Sequence, residues 1–188
     1  MKIFIKLFLE YTLYSISFYY YLCYKLLRFD YKELAISISN YSGWKGKMIR
    51  RGFYRMTLKK CGRDIIVHYG SFIVYPETEI GQKCAIEEYS IVSLCNIGDD
   101  VIIAARCSIM SGSKHHDVTD IHNTFYNSKS VIKKIQLGDN LWIGTHSVIM
   151  ADISSHTAVA AGSVVTKTFP EYSVIGGVPA RIIRDRKI

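Results

Sequence analysis

An aliphatic residue recurs at every sixth position over most of the stretch from Ile80 to Val165, and few folds accept that period. Two uninterrupted runs carry it: Ile97, Ile103 and Ile109, then Leu137, Ile143 and Ile149. Ile80 and Ile86 precede them, and Ile153, Val159 and Val165 follow. Four residues after most of these stands something small: Cys84, Ser90, Cys107, Ser147, Thr157 and Ser163, with the larger Val101 and Leu141 as exceptions. Gly81, Gly98, Ala104, Gly138 and Gly144 directly follow the aliphatic residue. A period of six matches neither the 3.6 of an α-helix nor the alternation of a strand. It is the signature of a parallel β-helix, in which three hexads make one triangular coil. The aliphatic side chain points inward and stacks on its equivalent in the next coil. The small one turns inward near a corner. A single coil cannot bury its own face, so stacking supplies the stability. The register slips at Asn96 and near Ala151–Asp152 and then resumes, as short connections between coils would require.

The end of the chain adds a second, independent pattern. Leu141-Trp-Ile-Gly-Thr-His146 is followed by Ala161-Gly-Ser-Val-Val-Thr-Lys167, by Pro170, and by Gly176-Gly-Val-Pro-Ala-Arg181-Ile-Ile-Arg184. In that order these segments resemble the hexapeptide-repeat acyltransferases, whose fold is a left-handed β-helix, and within them the sugar and polysaccharide O-acetyltransferases. The resemblance covers roughly residues 60 to 186. The chain departs from the family at Met150-Ala151-Asp152, where a Pro-Gly turn is usual and this chain is about two residues shorter.

The expected fold class is therefore mainly β, a left-handed parallel β-helix with an N-terminal α-helical extension. The expected domains are a basic, aromatic-rich extension over 1–62, a β-helix over 63–175 with a loop insertion at 111–136, and a tail over 176–188. Charge supports the division. Residues 1–62 hold 12 Lys/Arg against 3 Asp/Glu, a net +9, whereas the remainder is −1. The segment from Ile3 to Phe29 is apolar and Tyr-rich, but its uncharged run, Tyr11 to Tyr24, is fourteen residues, short of the ~20 that span a bilayer. Trp44 to Lys60 mixes seven cations with aromatics and reads as a helix ending before Gly62, with a break at Ser37–Gly43. Such a helix suits peripheral attachment to an anionic membrane surface, or else packs on the β-helix with a solvated basic face. No nucleic-acid-reading motif accompanies the charge, so nucleic acid is not an expected partner. Five cysteines without a C-x-x-C pair, two of them at inward hexad positions, and no cleavage site after the apolar segment give the expectation of a cytoplasmic protein. It would sit at the inner face of the plasma membrane if the extension attaches there.

Between Ile109 and Leu137 the repeat stops, and the polar insertion Ser111–Gln136 holds His115, His116 and His122 with Asp117 and Asp120. Long loops on a rigid solenoid are usual places for chemistry. Ser111-Gly-Ser-Lys-His-His-Asp117 resembles the family's Ser-Gly-Ser-His-Asp pattern, which implies His116 as the catalytic base and His115 as the alternative. Acetyl transfer to a hydroxyl needs a group that takes the hydroxyl proton during attack, and imidazole titrates in the right range. Asp117 or Asp120 would hold the ring's tautomer. His146 and His156 fall within hexads and read as surface residues; His68 is uninformative.

The resemblance also implies acetyl-CoA as donor, a saccharide acceptor, and a homotrimer with the donor in a groove between neighbouring β-helices. Carried onto this sequence, Gly144, Thr145, Ala161 and Gly162 line the pantetheine arm, and Lys167, Arg181 and Arg184 meet the phosphates; Trp142 either covers the groove or is a buried or edge aromatic. No metal is expected. Two other classes share the fold: a zinc hydratase like the γ-class carbonic anhydrases, with His115, His116 and His122 as ligands, and a non-catalytic trimeric binding module.

Overall fold

The computed structural model describes residues 2–113, 115–119, 121–128 and 131–187, and side chains from residue 12 onward. Three helices come first: α1 Lys2–Lys25, α2 Tyr31–Ser39 and α3 Gly43–Thr57. Five coils of short strands follow. The first is β1 Lys60–Cys61, β2 Ile66–Val67 and β3 Phe72–Ile73, and the second β4 Glu79–Ile80, β5 Ala85–Ile86 and β6 Ile91–Val92. The third is β7 Cys95–Ile97, β8 Ile102–Ile103 and β9 Ser108–Ile109, and the fourth β10 Ile135–Leu137, β11 Trp142–Ile143 and β12 Val148–Ile149. In the fifth, Ile153 bridges to Leu137 in place of a first strand, and β13 Ala158–Val159 and β14 Val164–Val165 complete the turn. A hairpin of β15 Ser173–Gly177 and β16 Ala180–Asp185 closes the end.

Each strand pairs in parallel with its equivalent one coil away, which makes three flat faces. The first face runs β1-β4-β7-β10, the second β2-β5-β8-β11-β13-β15 with β16 antiparallel at its edge, and the third β3-β6-β9-β12-β14. The expected aliphatic residues all point into the prism and are buried, from Ile80 to Val165. So are the small corner residues Cys84, Ser90, Cys107, Ser147, Thr157 and Ser163. The period begins one coil earlier than Ile80: Cys61, Val67 and Ile73 occupy the same three inward positions. A cysteine in the first of them hides the register from a count of aliphatic residues.

The corner between the first and second faces explains the glycines that follow the inward residue. Coils approach there so closely that a Cβ on Gly98 would stand 2.8 Å from the Gly138 carbonyl group. The next residue of each coil caps the one before it: Asp99 Oδ1 accepts from Gln82 N at 2.7 Å, Asp139 Oδ1 from Asp99 N at 2.8 Å, and Ser155 Oγ from Asp139 N at 3.0 Å. The ladder satisfies backbone donors that the corner withholds from the sheets. The shortened Met150-Ala151-Asp152 turn closes by the same device, with Asp152 Oδ1 accepting from Gln136 N at 2.8 Å.

The extension holds three helices where the sequence suggested two. Asp30 caps α2, its Oδ1 accepting from Glu33 N at 3.0 Å, so a new helix starts at Tyr31 and runs into the expected break, which contracts to a few residues after Ser39. α3 stops at Thr57 rather than Lys60, because Lys60–Cys61 pairs with Glu79–Ile80 as the first strand. α3 packs on the first coil, one of the two arrangements the sequence allowed. Ile49, Phe53 and Tyr54 are buried there, and Tyr54 Oη accepts from Ile73 N at 3.2 Å. Its middle cation is not solvated. Arg50 is wholly buried, donating from Nε to Val67 O at 2.8 Å and from one terminal nitrogen to Ile38, Ser39 and Tyr41 carbonyls at 2.8–3.2 Å.

Candidate active site

The long loop leaves the third face after β9 and returns to the first face at β10. Its two limbs are tied at the base by Ser111, which is buried. Ser111 O accepts from Lys133 N at 3.0 Å, and Ser111 Oγ accepts from Leu94 N at 2.8 Å. Gly112 turns the chain outward with φ +80°, a conformation that penalises any side chain.

His116 lies on the exposed outer part of the loop, and its Nδ1 is 3.0 Å from Ser128 Oγ. Ser128 ends a 3₁₀ turn at Phe125–Asn127 and donates its own hydroxyl proton to Phe125 O at 2.8 Å. Its oxygen is left to accept. With that proton on Phe125 O, Ser128 Oγ can accept from His116 Nδ1–H, an arrangement that leaves Nε2 as the ring's available lone pair. His115 is half-buried, and its Nε2 is enclosed with no hydrogen-bond partner among the described residues. Asp117 Oδ1 accepts from Thr119 N at 2.9 Å and Thr119 Oγ1 at 2.7 Å, a local turn that shapes the loop. Asp120 lies outside the described residues. Among the described residues, no three His, Cys, Asp or Glu side chains of one chain converge as metal ligands would.

Gly144, Thr145, Ala161 and Gly162 come together at the corner between the second and third faces. Gly144 N donates to Val159 O and Gly162 N to Thr145 O, each at 2.8 Å. A Cβ on Gly144 would fall 2.5 Å from Ala161 N, so adjacent coils approach too closely at this corner for any side chain. Trp142 stands outward on the second face, 56% exposed. With Ile102, Ala158, Val174, Arg184 and Arg186 it lines a cavity of about 340 Å³. Arg181 is exposed on β16, opposite Gly176. Lys167 is elsewhere. It lines a cavity of about 460 Å³ where the loop base meets the turn after β12, with Gly112, Lys133, Met150 and Asp152.

The predicted residues thus occupy three places in one subunit. The His loop and Lys167 share the corner between the third and first faces. The Gly144 group lies at the other edge of the third face, and Trp142 and Arg184 lie on the second. Reasoning from sequence missed Ser128, because its bond to His116 depends on how a polar loop folds back on itself. It also left Arg186 out of the predicted site, although just past the end of β16 it lines the same cavity as Arg184. His146 is exposed at a corner with φ 59°, and His156, at the equivalent corner one face back, stacks on Tyr172 with centroids 4.5 Å apart. His68 Nδ1 meets Glu88 Oε1 at 2.7 Å.

No protein-family model matches the chain. A galactoside O-acetyltransferase of Escherichia coli strain K12 is 34% identical over 104 residues, which cover 53% of this chain and 46% of that protein. The chain spans about half the length of the curated relatives it matches. A solved galactoside acetyltransferase in complex with coenzyme A superposes with a TM-score of 0.72 at 27% identity, over 88% of this chain and 82% of that one. A maltose O-acetyltransferase from Clostridium difficile 630 shares the fold, with a TM-score of 0.71 at 23% identity over 87% and 90% of the two chains. With the hexad register, the three parallel faces and the closing hairpin in place, the chain has the left-handed β-helix fold of the hexapeptide-repeat acetyltransferases to which it is similar.

Proposed function

We propose that this protein moves the acetyl group of acetyl-CoA to a saccharide hydroxyl, with His116 as general base and by direct attack. The observation that carries the reading is the His116–Ser128 pair, an imidazole held through Nδ1, on the loop that interrupts the repeat. The similarity to a galactoside acetyltransferase solved with coenzyme A supplies the substrate class. The hydroxyl oxygen attacks the thioester carbonyl carbon while His116 Nε2 takes its proton. Backbone N–H groups stabilise the oxyanion. Collapse breaks the C–S bond, and the departing thiolate recovers the proton from the imidazolium. A cysteine acyl-enzyme is disfavoured. Cys84, Cys95 and Cys107 are buried, and burial pushes the thiols of Cys61, Cys84 and Cys95 up to about 12, 11 and 12. Few thiolates exist at such values.

The site is completed between copies in a homotrimer. The His loop and the Gly144 corner bound opposite edges of one face, so a donor held at that corner meets the loop of a neighbour. The outward side chains agree. The first face shows Lys60, Glu79, Asn96 and Gln136, whereas the second shows Ile66, Ala85, Ile102, Trp142 and Ala158, and the third Phe72, Ile91, Val148 and Val164 with one polar residue, Ser108. Two apolar faces and one polar face suit a closed ring of three with the polar face outward. Sedimentation equilibrium is expected to give three times the chain mass; a monomer mass would exclude the shared site. The acceptor belongs to surface polysaccharide assembly, capsule or O-antigen, at the inner membrane face, where the +9 extension would hold the enzyme.

The direct test supplies acetyl-CoA with a panel of soluble saccharides and follows thiol release. Acceptor-dependent release is expected; binding of CoA without any transfer would leave only a binding module. Arg184→Ala should raise the KM for acetyl-CoA on the order of 10-fold with kcat little changed, because a phosphate contact is equal in ground and transition states. Ser128→Ala should keep KM and lower kcat on the order of 10-fold, since it frees the tautomer without removing the base. Unchanged kcat in that variant would take Ser128 out of the site.

A further inference from the structure

From residue 12 to Tyr24, α1 carries no charged residue and has large apolar or aromatic side chains on both of its sides. Leu13, Ser17 and Cys23 are buried on one side, where Ser17 Oγ donates to Ile49 O of α3 at 2.9 Å. A Cβ on Gly52 would strike Ser17 Oγ at 2.5 Å, so the two helices are in close contact. The opposite side presents Tyr14, Phe18 and Tyr19 to solvent. After Lys25 the chain turns through Leu26, Leu27, Arg28 and Phe29, with Leu26 71%, Leu27 61% and Phe29 54% exposed. The turn is held firmly. Leu26 N and Leu27 N donate to Leu22 O at 2.8 and 3.3 Å, and Phe29 N to Cys23 O at 3.1 Å. A helix apolar on both sides is covered by protein or by lipid, and a fixed cluster of large apolar side chains marks a contact surface.

Charge decides between the two covers. The extension carries +9 and the rest of the chain −1, so two extensions brought together repel, whereas a layer of anionic headgroups attracts each. Aromatic side chains beside cations are also the composition of interfacial anchors. We propose that the Leu26-Leu27-Phe29 turn and the Tyr14–Phe18–Tyr19 side of α1 dock this chain on an anionic lipid surface. The three side chains of the turn enter the headgroup–acyl boundary, and Lys25 and Arg28 meet lipid phosphates. Attachment is peripheral: among the described residues no helix is long and apolar enough to cross a membrane. The inference deepens the membrane part of the proposed function and is independent of its acetyl-transfer chemistry.

The test is cosedimentation of the full chain with vesicles of phosphatidylcholine and phosphatidylglycerol in equal amounts, alongside transfer to a soluble saccharide. Wild type should pellet with the mixed vesicles, and at least about tenfold less with phosphatidylcholine alone. The variant Leu26→Ser, Leu27→Ser and Phe29→Ser together should lose at least about tenfold in partitioning while keeping transfer and oligomeric mass. A wild type that stays in the supernatant, or a variant that pellets equally well, overturns the anchor. A variant that falls to a smaller oligomer without lipid also overturns it, by assigning the turn to a contact between copies. Vesicle binding by a wild type that transfers nothing would support the anchor and strike the enzymatic reading alone.

Discussion

His116→Ala is expected to lower kcat by on the order of 10²-fold or more and to leave CoA binding intact. In the proposed reaction the proton passes to His116 Nε2 only as the C–O bond forms, so loss of the imidazole acts on the transition state and not on ground-state binding. His116 combines an exposed position with a hydrogen-bonded Nδ1, which is how a working base is oriented while its other nitrogen stays available. His115 has the opposite disposition, with Nε2 enclosed. His115→Ala is expected to cost less, through the loop's conformation. The measurement is steady-state kinetics with a saccharide that wild type acetylates, beside CoA binding by calorimetry. An active His116→Ala with a dead His115→Ala would move the base by one residue. Activity in both single variants and in the double variant would remove the base from this loop.

Arg50→Ala is expected to be the most destabilising single change in the extension, by about 3–5 kcal/mol. Among the described residues the buried side chain has no ion-pair partner; its Nε and one terminal nitrogen donate to backbone carbonyls of Ile38, Ser39, Tyr41 and Val67, while the other terminal nitrogen is enclosed without a partner. Those oxygens end α2, cross the α2–α3 link and reach the first coil. Removing the guanidinium strips donors from a dry junction and leaves a cavity. Arg50→Lys should restore little of the loss, because an ammonium cannot spread its donors as the planar fork does. Urea unfolding checks both variants. A loss under ~0.5 kcal/mol for Arg50→Ala would mean that water replaces the guanidinium and the junction is not dry.

Arg50 also shows where reading along the chain stops. It sits among Lys45, Lys47, Arg51 and Arg55, and its type and neighbours place it on a solvated basic face. Only the approach of α2 and the first coil reveals it as an internal tie. The number of helices was hidden for a related reason. The extension is apolar or aromatic on several sides, so no single face announces its breaks, and Asp30 acts as a cap only because the chain turns at Leu26–Phe29.

The β-helix was legible because its constraint is local and repeated. Every inward position sees the same environment six residues later, so selection for burial writes a period into the sequence, and the turn ladder repeats Gly and Asp at the same offset. The long loop was legible as an interruption of that period, and its His-Asp segment as a resemblance. What joins His116 to Ser128, Ser111 to Lys133, and Trp142 to Arg184 and Arg186 was decided by the tertiary structure alone. Those contacts link positions whose separation follows no period. Hydrogen-bond direction and a shared cavity depend on where the chain returns, and composition and spacing along it carry no record of that.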